Sequence, residues 1–221
     1  MYDIIVFDCD GVLLNSNSLK TSAFRETIQS DSSENIQKFI QYHKDNGGLS
    51  RYKKFEFYHK NIAKNYTMKN LENSLAIYAK LVKQKLLSCD MIEGVENLLK
   101  ELKANNIQCV VNTGSDEEEL KNIFLKRNLQ QYFDNILGSP NTKYENMDKL
   151  NLKNKTVLYF GDSKIDMEVS KFYNCDFIYV SGVSEWKGAL DEITKYNYQV
   201  IEDFSKFTLK DIKKLYNKRD F

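Results

Sequence analysis

Four short stretches hold most of the side chains suited to catalysis or ligand binding. They are Asp8-Cys9-Asp10-Gly11-Val12; Asn112-Thr113-Gly114-Ser115; Gly138-Ser139-Pro140 with Lys143 just beyond; and Gly161-Asp162-Ser163 with Asp166 four residues past Asp162. Each comes after a short apolar run that reads as a strand, and in an open α/β sheet ligands bind at the carboxyl ends of strands. Gathered at one sheet edge, Asp8, Asp10, Asp162 and Asp166 would crowd negative charge, which is costly unless something neutralises it. A hard divalent cation does so with oxygen ligands, and Mg²⁺ is usually held by one or two carboxylates plus a substrate phosphate. Thr113 and Lys143 are the right types to hold phosphoryl oxygens, and Gly11, Gly114 and Gly161 let backbone come close to a ligand.

Periodicity gives the scaffold that carries these residues. Residues 2–7, 107–111, 135–137, 156–160 and 176–180 are short and nearly all apolar, as parallel strands covered on both faces should be. Helical patterns lie between the later ones, over 94–105, 116–127, 144–150 and 164–173. This alternation predicts an α/β fold, a Rossmann-like doubly wound parallel sheet of five or six strands. One interval breaks the rhythm. From Leu14 to Cys109 there is no convincing strand, and helices are expected near 19–29, 33–44, 50–65 and 69–87. Leu71, Leu75, Tyr78, Leu81, Val82 and Leu86 give the last one an apolar stripe at helical spacing. A crossover needs only about a dozen residues, so the excess reads as an inserted α-helical cap domain. The expected division is a core of 1–15 and 92–221 and a cap of 16–91, with Asn46-Gly47-Gly48 as a turn inside the cap.

Composition narrows the function classes. Of 221 residues, 42% are hydrophobic and 29% charged, as in an ordinary soluble globular protein. Lys+Arg is 32 against 31 Asp+Glu, a formal net charge of +1 that argues against nucleic-acid binding through bulk positive charge. No stretch approaches the roughly 18 apolar residues of a membrane span. The N-terminus lacks the basic region of a signal peptide, and Cys9, Cys89, Cys109 and Cys175 match no zinc spacing. A cytoplasmic protein with free thiols is expected.

The motifs, in this order, resemble those of the haloacid dehalogenase (HAD)-like hydrolase superfamily. Asp8-Cys9-Asp10-Gly11-Val12 is similar to its first motif, Thr113 at a strand end to the second, Lys143 to the third, and Gly161-Asp162-Ser163 with Asp166 to the fourth. The long insertion after the first motif resembles the family's helical cap. The resemblance implies that Asp8 is the nucleophile, forming an aspartyl phosphate, and that Asp10 is the general acid and base. It further implies that Asp8, Asp10 (through its backbone carbonyl) and Asp162 hold Mg²⁺. Thr113, Gly114 and Lys143 would bind the phosphoryl group, and Asp166 would orient Lys143 or metal-bound water from behind. Lys143 lacks the proline that comes directly after this lysine in many relatives, so Lys149 and Lys153 stand as alternatives; Asn15 replaces a common aspartate.

The presence of Asp10 favours phosphoryl transfer over dehalogenation, and the pattern looks closest to phosphoglycolate phosphatases and β-phosphoglucomutases. The implied function is hydrolysis of a small phosphorylated metabolite, with a phosphosugar mutase as the alternative and a non-catalytic binding protein a distant third. No nucleic acid or membrane partner is expected, and a monomer or weak homodimer is. In the cap, Arg51 is the candidate for substrate selection, since its fork suits a carboxylate or second phosphate, and Lys20 could also face the cleft. The more ordinary reading holds elsewhere: His43 and His59 as structural histidines, Tyr52, Phe55, Phe57 and Tyr58 as cap core, and Glu117, Glu118 and Glu119 as acids that favour a helix dipole.

Overall fold

Strands that read as unbroken apolar runs must be covered on both faces, and the computed structural model, which describes residues 1–219, shows that arrangement. Strand β1 (Ile4–Phe7) is buried at every position. The chain then builds helices α1 (Asn17–Thr27), α2 (Ser33–Asp45), α3 (Arg51–Phe57), α4 (Met68–Ser88) and α5 (Val95–Ala104) before β2 (Gln108–Asp116). Next come α6 (Glu117–Lys126), β3 (Asn135–Ser139), α7 (Lys143–Asp148), β4 (Val157–Gly161), α8 (Lys164–Phe172), β5 (Asp176–Val180), α9 (Ala189–Lys195), β6 (Gln199–Ile201) and α10 (Leu209–Asn217). The six strands form one sheet in the order β3-β2-β1-β4-β5-β6, every pair parallel. Ile4 is in register with both Gln108 and Val157, so β1 is central and the strand order reverses there. The carboxyl ends of β1, β2 and β4 thus flank the crevice in which such sheets bind ligands.

The helices between β1 and β2 pack on an aromatic interior. Phe24 lies 4.2 Å from the Tyr78 ring and 5.6 Å from Phe39, which lies 5.5 Å from Phe55. Ser32, Ser50 and Thr67 cap α2, α3 and α4 by accepting from the third residue on. Ser16, at the start of α1, makes no such cap, because its hydroxyl donates to Asp10 at 2.5 Å.

Three features depart from the sequence expectation. The helix expected over 50–65 ends at Phe57 and continues as a π-helical turn, Tyr58–Ile62. That wider turn brings His59 inward, where its ring nitrogens meet Asn65 Oδ1 (2.7 Å) and Ser74 Oγ (2.9 Å). Strand β2 runs to Asp116, past Thr113 and Gly114, with a register shift against β3 between Asn112 and Asp116. The strand β6, three residues with a half-exposed edge, is too short to leave a pattern. All four cysteines are buried and free. No helix among the described residues is long and apolar enough to cross a membrane.

Candidate active site

The chain leaves β1 at Asp8, whose backbone N–H donates to Phe160 O at 2.9 Å, and turns through Gly11 at φ +76°. A side chain at Gly11 would place Cβ 2.2 Å from Asp162 Oδ2, so glycine is required both for the turn and for the approach of β1 and β4. Asp8 is 3% exposed, and its Oδ1 accepts from the Cys9 N–H (2.7 Å) and pairs with Lys143 Nζ (2.9 Å).

Lys143 is set by its helix start. Thr142 and Glu145 form a capping box, which makes Lys143 the first residue of α7 without the proline many relatives use. Its ammonium spans Asp8 Oδ1 and Asp166 Oδ1 (2.5 Å). Lys149 instead donates to Asn146 Oδ1 at 3.4 Å, and Lys153 is exposed. Burial works against the Lys143 charge, but Asp166 and Asp8 outweigh it and hold the pKa above the ordinary lysine value. Asp166 is fully occupied: Oδ1 also accepts from the Tyr159 hydroxyl (3.1 Å), and Oδ2 from the Ser163 N–H (3.1 Å) and hydroxyl (2.5 Å).

Asp8, Asp162 and Asp166 form a buried acidic group with one oxygen of each within 4.8 Å of the others. The carboxylate of Asp10 lies outside that group. Asp162 Oδ2 accepts from Asn17 Nδ2 (2.6 Å). Burial, with Asp8 and Asp166 close by, raises Asp162 well above the carboxylate range. Burial raises Asp8 to about 7 against the pull of Lys143, with Asp166 and Asp10 adding to the rise. Negative charge therefore exceeds what Lys143 neutralises, and the donors are hard oxygens, which fits Mg²⁺. With Asp166 spent on Lys143, Tyr159 and Ser163, the carboxylates left for a metal are those of Asp8 and Asp162.

Asp10 has a different environment. Oδ1 accepts from Ser16 Oγ, and Oδ2 from Lys20 Nζ (2.5 Å) and Ser115 Oγ (3.0 Å). Burial opposes its charge, but Lys20 and these hydrogen bonds prevail and lower its pKa. Thr113 is buried, with Oγ1 accepting from the Ser115 N–H at 3.1 Å. A Cβ on Gly114 would come within 2.2 Å of the Gly48 carbonyl oxygen, so the turn between α2 and α3 rests directly on β2.

A cavity of about 90 Å³ lies between the strand ends and the helices above them, lined among others by Asp8, Asp10, Lys20, Arg51, Lys54 and Asp162. Arg51 does reach this wall, but its guanidinium bonds Glu119 and lies 3.7 Å from Asp116. This corrects the reading of Glu119 as a dipole acid only: one oxygen is Arg51's partner, and Oε1 is buried with no hydrogen-bond partner. Asn15 is exposed, away from the chemistry. Sequence reasoning missed Asn17 and Lys54; it placed Ser115 at a strand end without its bond to Asp10, and read His43 as structural without its contact to Lys54. A helical-face reading would have found both missed residues, since Asn17 and Lys20 share a face at i,i+3, as do Arg51 and Lys54.

Comparison with known proteins decides the family. Residues 5–180 match the model of the haloacid dehalogenase-like hydrolases. The chain belongs to that family. It is an enzyme of the phosphatase type. A phosphorylated carbohydrates phosphatase of Thermotoga maritima is 23% identical over 204 residues, covering 86% of this chain and 90% of that protein. Among solved structures, a β-phosphoglucomutase from Clostridium difficile superposes with a TM-score of 0.74 at 19% identity, over 99% of this chain and 98% of that one. A predicted phosphoglycolate phosphatase from Haemophilus somnus gives 0.69 at 18% identity, over 97% and 98%. At such identities the structures speak for the HAD fold alone.

Proposed function

We propose that this HAD-like enzyme is a Mg²⁺-dependent phosphate monoester hydrolase acting on a small phosphorylated carbohydrate metabolite. The observation that carries the reading is the state of Asp8. Its carboxylate is buried, fixed through Oδ1 by Lys143 and the Cys9 N–H, and its Oδ2 is left for attack on phosphorus. Asp8 Oδ2 would form the aspartyl phosphate while Lys143 and Thr113, with the Gly114 backbone, hold the phosphoryl oxygens. Asp166 is a positioning residue, keeping Lys143 charged and aimed at Asp8. Asp8 and Asp162, with the Asp10 backbone carbonyl, would hold Mg²⁺, whose charge would offset the repulsion between carboxylate and phosphate.

Asp10 would give its proton to the leaving alcohol and later take one from the attacking water. Lys20, Ser16 and Ser115 favour the ionised form, which serves the water-activating half. For the acid half Lys20 must loosen its grip, and an incoming phosphate offers it a competing anion. Helices α1 to α4 act as the cap, with Gly48 seated on Gly114 and Asn17 on Asp162, so that water is excluded during turnover. The unpartnered Glu119 Oε1 would accept from a sugar hydroxyl. The phosphorylated-carbohydrate substrate of the Thermotoga relative supports the same substrate class.

The test is inorganic phosphate release from a panel of phosphorylated metabolites, including phosphoglycolate and hexose phosphates, with Mg²⁺ and with chelator. Metal-dependent release is expected. Conversion of a sugar phosphate to its isomer without phosphate release would replace hydrolase by mutase.

A further inference from the structure

Four basic side chains of the helices above the sheet line the cavity: Lys20, Lys44, Arg51 and Lys54. Three are matched by carboxylates. Lys20 sits on Asp10, Arg51 on Glu119, and Lys44 on Glu185 Oε1 at 2.8 Å. Lys54 is different. It is 3% exposed, and its amino group lies 5.5 Å from the centre of the Phe24 ring and 2.8 Å from His43 Nδ1. Among the described residues no carboxylate lies within ion-pair distance of it.

The hydrogen-bond chain behind Lys54 has a fixed direction. A carboxylate only accepts, so the Thr21 hydroxyl donates to Glu185 Oε2 (2.6 Å). Thr21 Oγ1 then accepts from the His43 Nε2–H across 2.9 Å, and His43 Nδ1 is left to accept from Lys54. Burial, with the charge of Lys54 beside it, keeps His43 neutral, which agrees with this tautomer. One N–H of the Lys54 ammonium is committed to His43, and two remain for the cavity. An ammonium that is buried and lacks a counter-ion is costly, and burial together with Lys20 lowers Lys54 to about 7. Arg51, the expected selector of anions, already has its counter-ion in Glu119. The unmatched positive site in the cavity is therefore Lys54.

We propose that Lys54, held by the His43–Thr21–Glu185 chain, binds a second anionic group of the substrate, so that the enzyme selects small phosphate monoesters carrying a carboxylate or a second phosphate. The proposal rests on the phosphatase reading for the reaction, but not for the binding.

Two pairs separate the sources of the second anion: a hexose 6-phosphate against its phosphorylated sugar acid, and the same hexose monophosphate against the bisphosphate. Wild type should favour the doubly anionic member of one pair in kcat/KM. In Lys54→Met that preference should fall by roughly 10- to 100-fold, carried mainly by KM, as for a lost hydrogen bond to a charged group. The pair affected names the anion. An unchanged preference in Lys54→Met, or a wild type that discriminates within neither pair, would overturn the proposal. Calorimetric binding of the same compounds to Asp8→Asn, with and without Lys54→Met, keeps the two claims apart. Tighter, Lys54-dependent binding of a doubly anionic compound that is never hydrolysed would defeat the hydrolase reading and leave the Lys54 site standing. Binding that ignores Lys54 would defeat the site.

Discussion

Replacing Lys54 by methionine should make the protein more stable at neutral pH. Methionine fills a similar volume and carries no charge to desolvate. The fall of the lysine from 10.5 to about 7 corresponds to about 4–5 kcal/mol of lost stability at or below neutral pH, at about 1.4 kcal/mol for each tenfold change in proton affinity. Against this, the variant leaves the buried His43 Nδ1 without its partner at 2.8 Å, which costs about 1–3 kcal/mol. A net gain of about 2 kcal/mol remains, or roughly 4–8 °C in Tm for a chain of this size. The pH dependence has a definite sign. Between about 7 and 10.5 the unfolded chain keeps the Lys54 proton and the folded protein does not. Stability of the wild type therefore climbs with pH in that window, and the advantage of Lys54→Met shrinks. Urea unfolding at several pH values from 7 to 10 measures both. A variant less stable than wild type at pH 7, or a difference that stays flat to pH 10, would show that Lys54 is charged and satisfied inside the protein.

Other substitutions probe the remaining contacts. Gly114→Ala brings Cβ to 2.2 Å from the Gly48 carbonyl, so the turn between α2 and α3 must retreat by about 1 Å; kcat/KM should drop about 100-fold with little change in Tm, and unaltered kinetics would show that this contact is not needed. Lys20→Met removes the cation that keeps Asp10 ionised, so burial dominates and the acidic limb of the pH–rate profile should move to higher pH; an unmoved limb would mean it does not report Asp10. Asp166→Asn breaks the buried pair with Lys143 and should cost about 3 kcal/mol in urea unfolding, together with a raised KM; full stability would show that Asp8 alone suffices for Lys143.

The strand-end residues were legible because parallel strands buried on both faces leave short apolar runs, and the residue just past each run sits at the ligand-binding edge. Asp8, Thr113 and Asp162 stand where those runs end, and Lys143 is locatable because Thr142 and Glu145 sign the start of a helix. The partnering of side chains across the cleft was not legible. Arg51 and Glu119 are 68 residues apart, so one reads as a selector of substrate anions and the other as a helix-dipole acid, with nothing in the sequence to pair them. His43 and Lys54 lie on separate helices, α2 and α3, and meet only because the turn at Asn46-Gly47-Gly48 folds one against the other. The last strand, β6, escaped because three residues carry no periodicity.

The role of Asp8 as nucleophile is tested most directly by mixing the enzyme with Mg²⁺ and a ³²P-labelled substrate, quenching in acid within milliseconds, and assaying label on the protein. An acid-stable, hydroxylamine-labile label is expected on the peptide containing Asp8, absent from Asp8→Asn along with phosphate release. Phosphate release at the wild-type rate by Asp8→Asn would contradict that role.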